Sequence, residues 1–340
     1  MKSTCERSTT SDLRPPSDAR ESHSRRAGVV PTSSSPRSAT MRSEAAAPSS
    51  MSASGPGMRT TLPFCAGTMR VLLTNDDGIE AEGLQTLRRA LLEVPDVSEV
   101  VVVAPDGNRS AMARSITIRQ PLWVEEVDFG DGTRGFATDG TPVDCVRLAS
   151  LGLIEGFAPD VVVSGINHGV NLGDDITYSG TVAAAFEGVL LGLPAIAVSQ
   201  AAVSGEMDFR AGRRFEFDVA ARFVADVVGE LDDVPLRPGT LLNVNVPAGP
   251  PSGVAVARLG KRRYNDRLEL AEEAGGKRRY WIYGDTPEHD DEPGTDLAAV
   301  TAGTIAVTPL HLDLTDTDGM DPLELHDLSR LLAPAVEDVP

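Results

Sequence analysis

From Met69 onward the chain carries a series of short runs, MRVLLT, EVVVVAP, PDVVVSG, PAIAVS and TLLNVNVP, in which apolar residues are continuous rather than alternating. A strand that is apolar on successive residues is buried on both faces, which happens where helices cover both sides of a parallel sheet. The intervening stretches supply such helices. AEGLQTLRRALLEV puts Leu84, Leu87, Leu91 and Val94 on one face, and TPVDCVRLASLGLI opens with Thr141 as an N-cap and Pro142 at the first helical position. SGTVAAAFEGVLLG reads as a third helix. The pattern predicts an α/β protein, a Rossmann-like three-layer α/β/α sandwich with a mostly parallel sheet.

The pattern does not hold at the two ends of the chain. Residues 1–68 are dominated by Ser, Thr, Pro, Arg and Ala without apolar periodicity, and read as a disordered extension. Nine bases there face five acids, about +4, which leaves about -23 for the remainder out of the total of -19. Arg25-Arg26 is followed by GVVPTSSSP, too polar for an export signal. After Gly239 the segments KRRYNDRLEL and GGKRRYWIYGD bracket Gly275-Gly276 and read as the arms of a long hairpin over about 255–285. Its Tyr264, Tyr280, Trp281 and Tyr283 are residue types enriched where subunits meet. TAGTIAVTPL is a further strand, and PLELHDLSRLLAP a closing helix within a tail over 315–340. Leu323, Leu325, Leu328, Leu331 and Leu332 give that tail an apolar pattern that needs a surface to cover.

The acidic surface argues against partners that are themselves anionic, nucleic-acid duplexes and acidic membranes alike. Cys5, Cys65 and Cys145 form no CxxC pair and imply neither a disulfide framework nor a zinc site. No run approaches the roughly 18 apolar residues of a membrane-spanning helix. The expected location is the cytoplasm.

In open parallel sheets ligands bind beyond the carboxyl ends of the strands. TNDDG follows the first strand, PDGNRSA the second and SGINHGVNLGDD the strand PDVVV, while YSGT opens the next helix. Seen alone, adjacent acids before a glycine are a turn or cap, SGT is an N-cap, and His168 and His311 are structural. Together on one sheet edge, two carboxylates, an amide and a hydroxyl make an oxygen-rich site for a hard divalent cation, Mg²⁺ or Mn²⁺. A cation offsets the repulsion between Asp76 and Asp77 and keeps both ionised. Ser179, Gly180 and Thr181 lie where a helix begins, so backbone N–H groups, hydroxyls and the helix dipole suit a phosphate. A metal facing a helix N-terminus points to phosphoryl transfer to water, with Asp76 and Asp77 as the catalytic pair.

Seven blocks carry a resemblance: MRVLLTNDDGI, VVVAPDGNRSAMARSIT, GTPVDCV, PDVVVSGINHGVNLGDDITYSGTVAAAFEG, GLPAIAVS, NVNVP and GTDLAAVTAGTIAVTPL. In order from Met69 to Leu314 they resemble the SurE family of stationary-phase survival proteins, metal-dependent 5'/3'-nucleotidases. The resemblance implies a nucleotidase domain over 69–314 with one divalent metal ion per subunit, held by Asp76, Asp77, Ser110 and Asn167. It also implies hydrolysis of nucleoside monophosphates by metal-activated water, and a homodimer or homotetramer joined through the hairpin and an exchanged tail. His168 departs from the family pattern, and residues 1–68 have no family counterpart. Two other readings remain at this point. A phosphatase of the haloacid dehalogenase type forms an aspartyl-phosphate, but spaces its two acids two positions apart, where this chain has Gly78. A regulatory protein would bind nucleotide through the same loops without turnover.

Overall fold

A computed structural model describes residues 68–203, 214–264, 267–282, 288–290, 292–326, 328 and 331. The order along the chain is β1 (Met69–Thr74), α1 (Glu82–Leu92), β2 (Val97–Pro105), β3 (Val124–Asp128), β4 (Arg134–Thr138), α2 (Pro142–Ser150), β5 (Val161–His168), α3 (Gly180–Leu190) and β6 (Ala195–Gln200). It continues with α4 (Asp218–Gly229), β7 (Thr240–Val246), β8 (Val254–Val256), β9 (Arg262–Arg263), β10 (Glu269–Ala274) and β11 (Lys277–Trp281). The remaining elements are β12 (Glu288–His289), α5 (Asp296–Thr301), β13 (Ile305–His311) and α6 (Thr317–Leu325).

Nine strands form one sheet in the order β3-β4-β2-β1-β5-β6-β7-β13-β8. The strands from β4 to β7 run parallel, and antiparallel pairing enters only at β3 and at β13. Successive residues of each inner strand serve opposite layers. Val71, Leu73, Val100, Val102 and Val163 pack with Leu84, Leu87 and Leu91 of α1 and Val224 and Val228 of α4. Leu72, Val101, Val103 and Val162 pack with Cys145 and Val146 of α2 and Val182 and Ala185 of α3. That division of one apolar run between two cores is what the continuous patterning demands, and the three-layer sandwich is observed.

The helix signals act as the sequence predicts. Thr141 caps α2 through a reciprocal pair: its side chain accepts from Asp144 N (3.2 Å), and the Asp144 carboxylate accepts from Thr141 N (3.0 Å). Glycine at position 83 lets α1 approach the sheet, because a β-carbon there would penetrate the Ile166 carbonyl and crowd the Phe217 ring at 3.1 Å.

The C-terminal part differs in detail from expectation. The turn Gly275–Gly276 joins β10 to β11, and Glu272 and Glu273 face Arg279 and Arg278 across the pair. Lys261–Tyr264 is not part of that hairpin, since Arg262 and Arg263 pair with β12 instead. The reason is charge and burial: Arg262 is buried against Asp175 (2.5 Å), and the Tyr264 hydroxyl donates to the same carboxylate. The closing helix begins earlier than PLELHDLSRLLAP, at Thr317, because Asp316 caps it by accepting from Gly319 N (3.1 Å). Tyr283, Leu332 and the extension over 1–68, Thr68 excepted, lie outside the described residues.

Adding one methyl at position 83 should therefore push α1 away from β5. Gly83→Ala is expected to lower stability by about 1–3 kcal/mol, read from the urea midpoint at constant slope. An unchanged midpoint would show that the helix can shift without cost.

Candidate active site

β1 ends at Thr74, and the two acids, Asp76 and Asp77, follow after Asn75. The turn Asn75–Gly78 is closed by Asn75, whose Oδ1 accepts from Gly78 N (3.2 Å) and whose Nδ2 donates to Gly78 O (2.9 Å). Gly78 takes φ +108°, and a β-carbon there would lie 3.0 Å from the Gly107 Cα. Glycine is thus required where the first loop passes the second. The result is that Asp76 points into the protein, 3% exposed, and Asp77 sits beside it at the sheet edge.

Three further segments converge on this pair. From the second loop, Arg109 N donates to the Asp76 carbonyl (2.6 Å). Asn108 Nδ2 donates to Asp77 Oδ1 (3.2 Å), and Asn108 Oδ1 accepts from Ser110 N (2.9 Å). Ser110, an exposed residue, is thereby tied to the acids through one amide. From β5, whose register against β6 shifts between Ser164 and Asn167, His168 N donates to Asp77 Oδ2 (3.0 Å). Asn167 spends its Nδ2 on Gly169 O (2.7 Å), which directs Oδ1 away as an acceptor. From the start of α3, the Thr181 hydroxyl donates to Asp76 Oδ1 (2.6 Å). Gly180 completes the fit, because a β-carbon there would stand 2.9 Å from both Cβ and Oδ2 of Asp76.

The structure thus gathers at one sheet edge the segments that carry the four residues implied as metal ligands and the three assigned to phosphate. Ser179 has the N-cap role that SGT suggests when seen alone, while Gly180 and Thr181 serve Asp76, which the sequence did not specify. Ser179 Oγ accepts from Val182 N (3.1 Å) as the N-cap of α3, and Thr181 Oγ1 is committed to Asp76. Asn75, Asn108 and His168 were missed as supports. Only the amide-rich spelling of NDDG and GNRS hinted at the first two. The His168 ring stacks at 5.1 Å on both Phe215 and Phe217, and its Nδ1 lies 3.7 Å from Asp77 Oδ1.

Electrostatics sharpen the picture. Burial, and then the adjacent Asp77 charge, push the Asp76 carboxyl up to about 6, against a smaller opposing pull from the Thr181 hydroxyl. No lysine or arginine among the described residues forms an ion pair with Asp76. Asp76 and Asp77 offer two carboxylates, and the segments of Ser110 and Asn167 beside them carry neutral oxygens. That donor set suits a hard, oxygen-seeking cation and not zinc.

An α/β sandwich with its polar loops gathered at the carboxyl edge of parallel strands belongs to the open-sheet class, in which that edge is where ligands bind. Comparison with known proteins narrows this. The family model described as Survival protein SurE matches residues 71–266. The 5'-nucleotidase SurE of Rubrobacter xylanophilus is 53% identical over 268 residues, covering 78% of this chain and 99% of that protein. The 5'-nucleotidase SurE of Geobacter sulfurreducens is 46% identical over 264 residues, 77% of this chain and 95% of its own. The crystal structure of the SurE protein from Aquifex aeolicus superposes with a TM-score of 0.60 at 38% identity, covering 76% of this chain and 99% of that one. The chain belongs to the SurE family.

The raised Asp76 carboxyl has a measurable sign. In metal-free protein the folded state keeps the Asp76 proton up to about pH 6 while the unfolded chain releases it near 3.8, so stability falls as pH rises through that window. Asp76→Asn should remove on the order of 1–3 kcal/mol of that fall, and so should hold or raise metal-free stability at pH 7. Urea unfolding at pH 4 and pH 7 with a chelator measures it. An Asn variant that loses stability at pH 7 relative to the parent would contradict the assignment.

Proposed function

We infer that the chain is a 5'-nucleotidase, a hydrolase of phosphoric monoester bonds. We propose that it is metal-dependent and cleaves nucleoside 5'- and 3'-monophosphates to nucleoside and phosphate. The observation that supports the reading is the contact between the Asp76 carboxylate and the first turn of α3, by which a cation held at the acids would stand beside an ester phosphate received at the helix N-terminus.

The residues fit a Mg²⁺ or Mn²⁺ ion, with Asp76, Asp77, Ser110 and Asn167 as the groups that would hold it. When bound, such an ion polarises a phosphoryl group and lowers the pKa of water. The chain supplies the rest. Thr181 fixes the rotamer of Asp76, and Asn108 and the His168 N–H fix that of Asp77. The free N–H groups in the first turn of α3 and the Ser179 hydroxyl then receive the ester phosphate, aided by the helix dipole. Arg109 is held to Asp106 (2.5 Å), and its backbone N–H to the Asp76 carbonyl, so the pair fixes the second loop against the acids. We also assign the active form to a cytoplasmic homodimer or homotetramer. Its support is the exposed Leu270, Tyr280 and Trp281 on the hairpin and Met320, Leu323 and Leu325 on α6. No helix among the described residues is long and apolar enough to cross a membrane.

The test is phosphate release from adenosine and guanosine monophosphates as Mn²⁺ or Mg²⁺ is added back after chelation. Asp76→Asn and Asp77→Asn are each expected to lose at least about a hundredfold in turnover. Ser110→Ala and Asn167→Ala should instead raise the half-activating Mn²⁺ concentration about tenfold, with rescue at excess metal. Turnover that is indifferent to metal, or parental in either Asp variant, would overturn the proposal.

A further inference from the structure

Two large side chains with apolar surface stand exposed on the segments that carry the polar site. Met112 is 42% exposed and Tyr178 is 61% exposed. Both stand on backbone that is fastened down. Ala113 N donates to Tyr178 O (3.1 Å), which joins the second loop to the residue just ahead of the α3 N-cap. Met112 lies between Ala111 and Ala113, which take φ +58° and +52°, a left-handed region that costs an alanine energy. The same turn is held on its far side by Ser115 Oγ donating to Met112 O (2.8 Å), and by Arg114 reaching the buried Glu187 (3.4 Å). Along the chain Met112 is two residues from Ser110, and Tyr178 directly precedes Ser179. Two large apolar side chains are therefore kept in water at the lip of the site, on a backbone that cannot readily withdraw them. Such an arrangement lowers the ordering cost of a flat apolar ligand.

We propose that Tyr178 and Met112 form the face on which the base of a nucleotide rests, the ring by stacking and the thioether by contact with the base edge. The inference rests on reading the chain as a nucleotidase, and adds where the nucleoside half of the substrate lies. Every base has a π-face, so stacking on one exposed ring is tolerant of base identity, and methionine adapts to the shape beside it. The pair thus distinguishes nucleotides from phosphate esters that lack a base, rather than one base from another. Neither side chain reaches the reacting atoms. Both act on KM.

The experiment compares kcat/KM for adenosine 5'-monophosphate and for ribose 5-phosphate, in the parent, Tyr178→Ala, Tyr178→Phe and Met112→Ala, with molar mass followed by light scattering. The parent should prefer the nucleotide. Tyr178→Ala should reduce that preference about tenfold, through KM, and Tyr178→Phe should restore it, with a smaller loss in Met112→Ala. A parent with no preference would overturn the base contact while leaving the phosphatase reading intact. So would a Tyr178→Ala variant that loses both substrates equally, or does so together with a change in molar mass, since the ring would then serve the fold or a subunit contact. Should the parent hydrolyse neither substrate, the nucleotidase reading fails by itself. Calorimetric binding of the same two ligands then decides the inference: tighter binding of the nucleotide, lost in Tyr178→Ala, sustains it, and equal binding overturns it.

Discussion

Two carboxylates on consecutive residues, closed off at the end of a central strand, are the constraint around which this structure is arranged. Alone, the pair is unfavourable: Asp76 is buried, Asp77 adds repulsion, and the body of the protein is already strongly acidic. Every loop that meets them contributes a neutral donor: a hydroxyl from Thr181, an amide from Asn108, a backbone N–H from His168. Neutral donors orient a carboxylate without neutralising it. On the proposed function a bound cation offsets the charge of the pair, and supports that are amides and hydroxyls fit that role.

Holding those donors requires a second tier of contacts, and the sheet provides it. The second loop would be free over much of its length but for a series of clamps onto α2 and α3. Thr117 donates to Asp144 through both N (3.0 Å) and Oγ1 (2.6 Å), the Thr141 hydroxyl donates to Ser115 O (2.8 Å), and Glu187 receives Arg114 and Arg147. On the other side, Asn171 N donates to Asn245 Oδ1 (2.8 Å), and Asn171 Nδ2 to Ser199 Oγ (2.8 Å), tying the loop after β5 to β7 and β6. Asp296 then fastens the chain leading to α3 by accepting from Gly173 N (2.9 Å) and Gly260 N (2.8 Å). Buried polar groups of this kind are stable only when paired, so each clamp also specifies its partner.

Much of this was legible beforehand because it obeys local rules. Continuous apolar strands gave the parallel sheet, Thr141-Pro142 the start of α2, and the four polar loops the sheet edge where the acids, Ser110, Asn167 and Ser179–Thr181 meet. What was not legible depends on distant partners. β3 and β4 are short and half polar, as VEEVD and RGFAT, and become strands only because β2 offers an edge. α4 went unread although its apolar spacing is regular, and α5, at six residues, is too short for a period to show. Lys261–Tyr264 looked like part of a hairpin arm because KRRYNDRLEL and GGKRRYWIYGD bracket Gly275-Gly276. That bracketing carries no information about which acid each arginine will find, and Asp175 claims Arg262 from across the fold. The support given by Asn108 to Asp77 was hidden for the same reason, since it spans 31 positions of chain.

The central claim, that Asp76 and Asp77 exist as a pair in order to hold a cation, is tested most directly by anomalous diffraction at the manganese edge from crystals grown with Mn²⁺. The account predicts one peak per chain with an oxygen of Asp76, Asp77 and Asn167 within about 2.0–2.6 Å of it, the Ser110 side turned toward the same ion, and loss of the peak in Asp77→Asn. Manganese bound elsewhere, at Asp174–Asp175 for example, with none between Asp76 and Asp77, would contradict it.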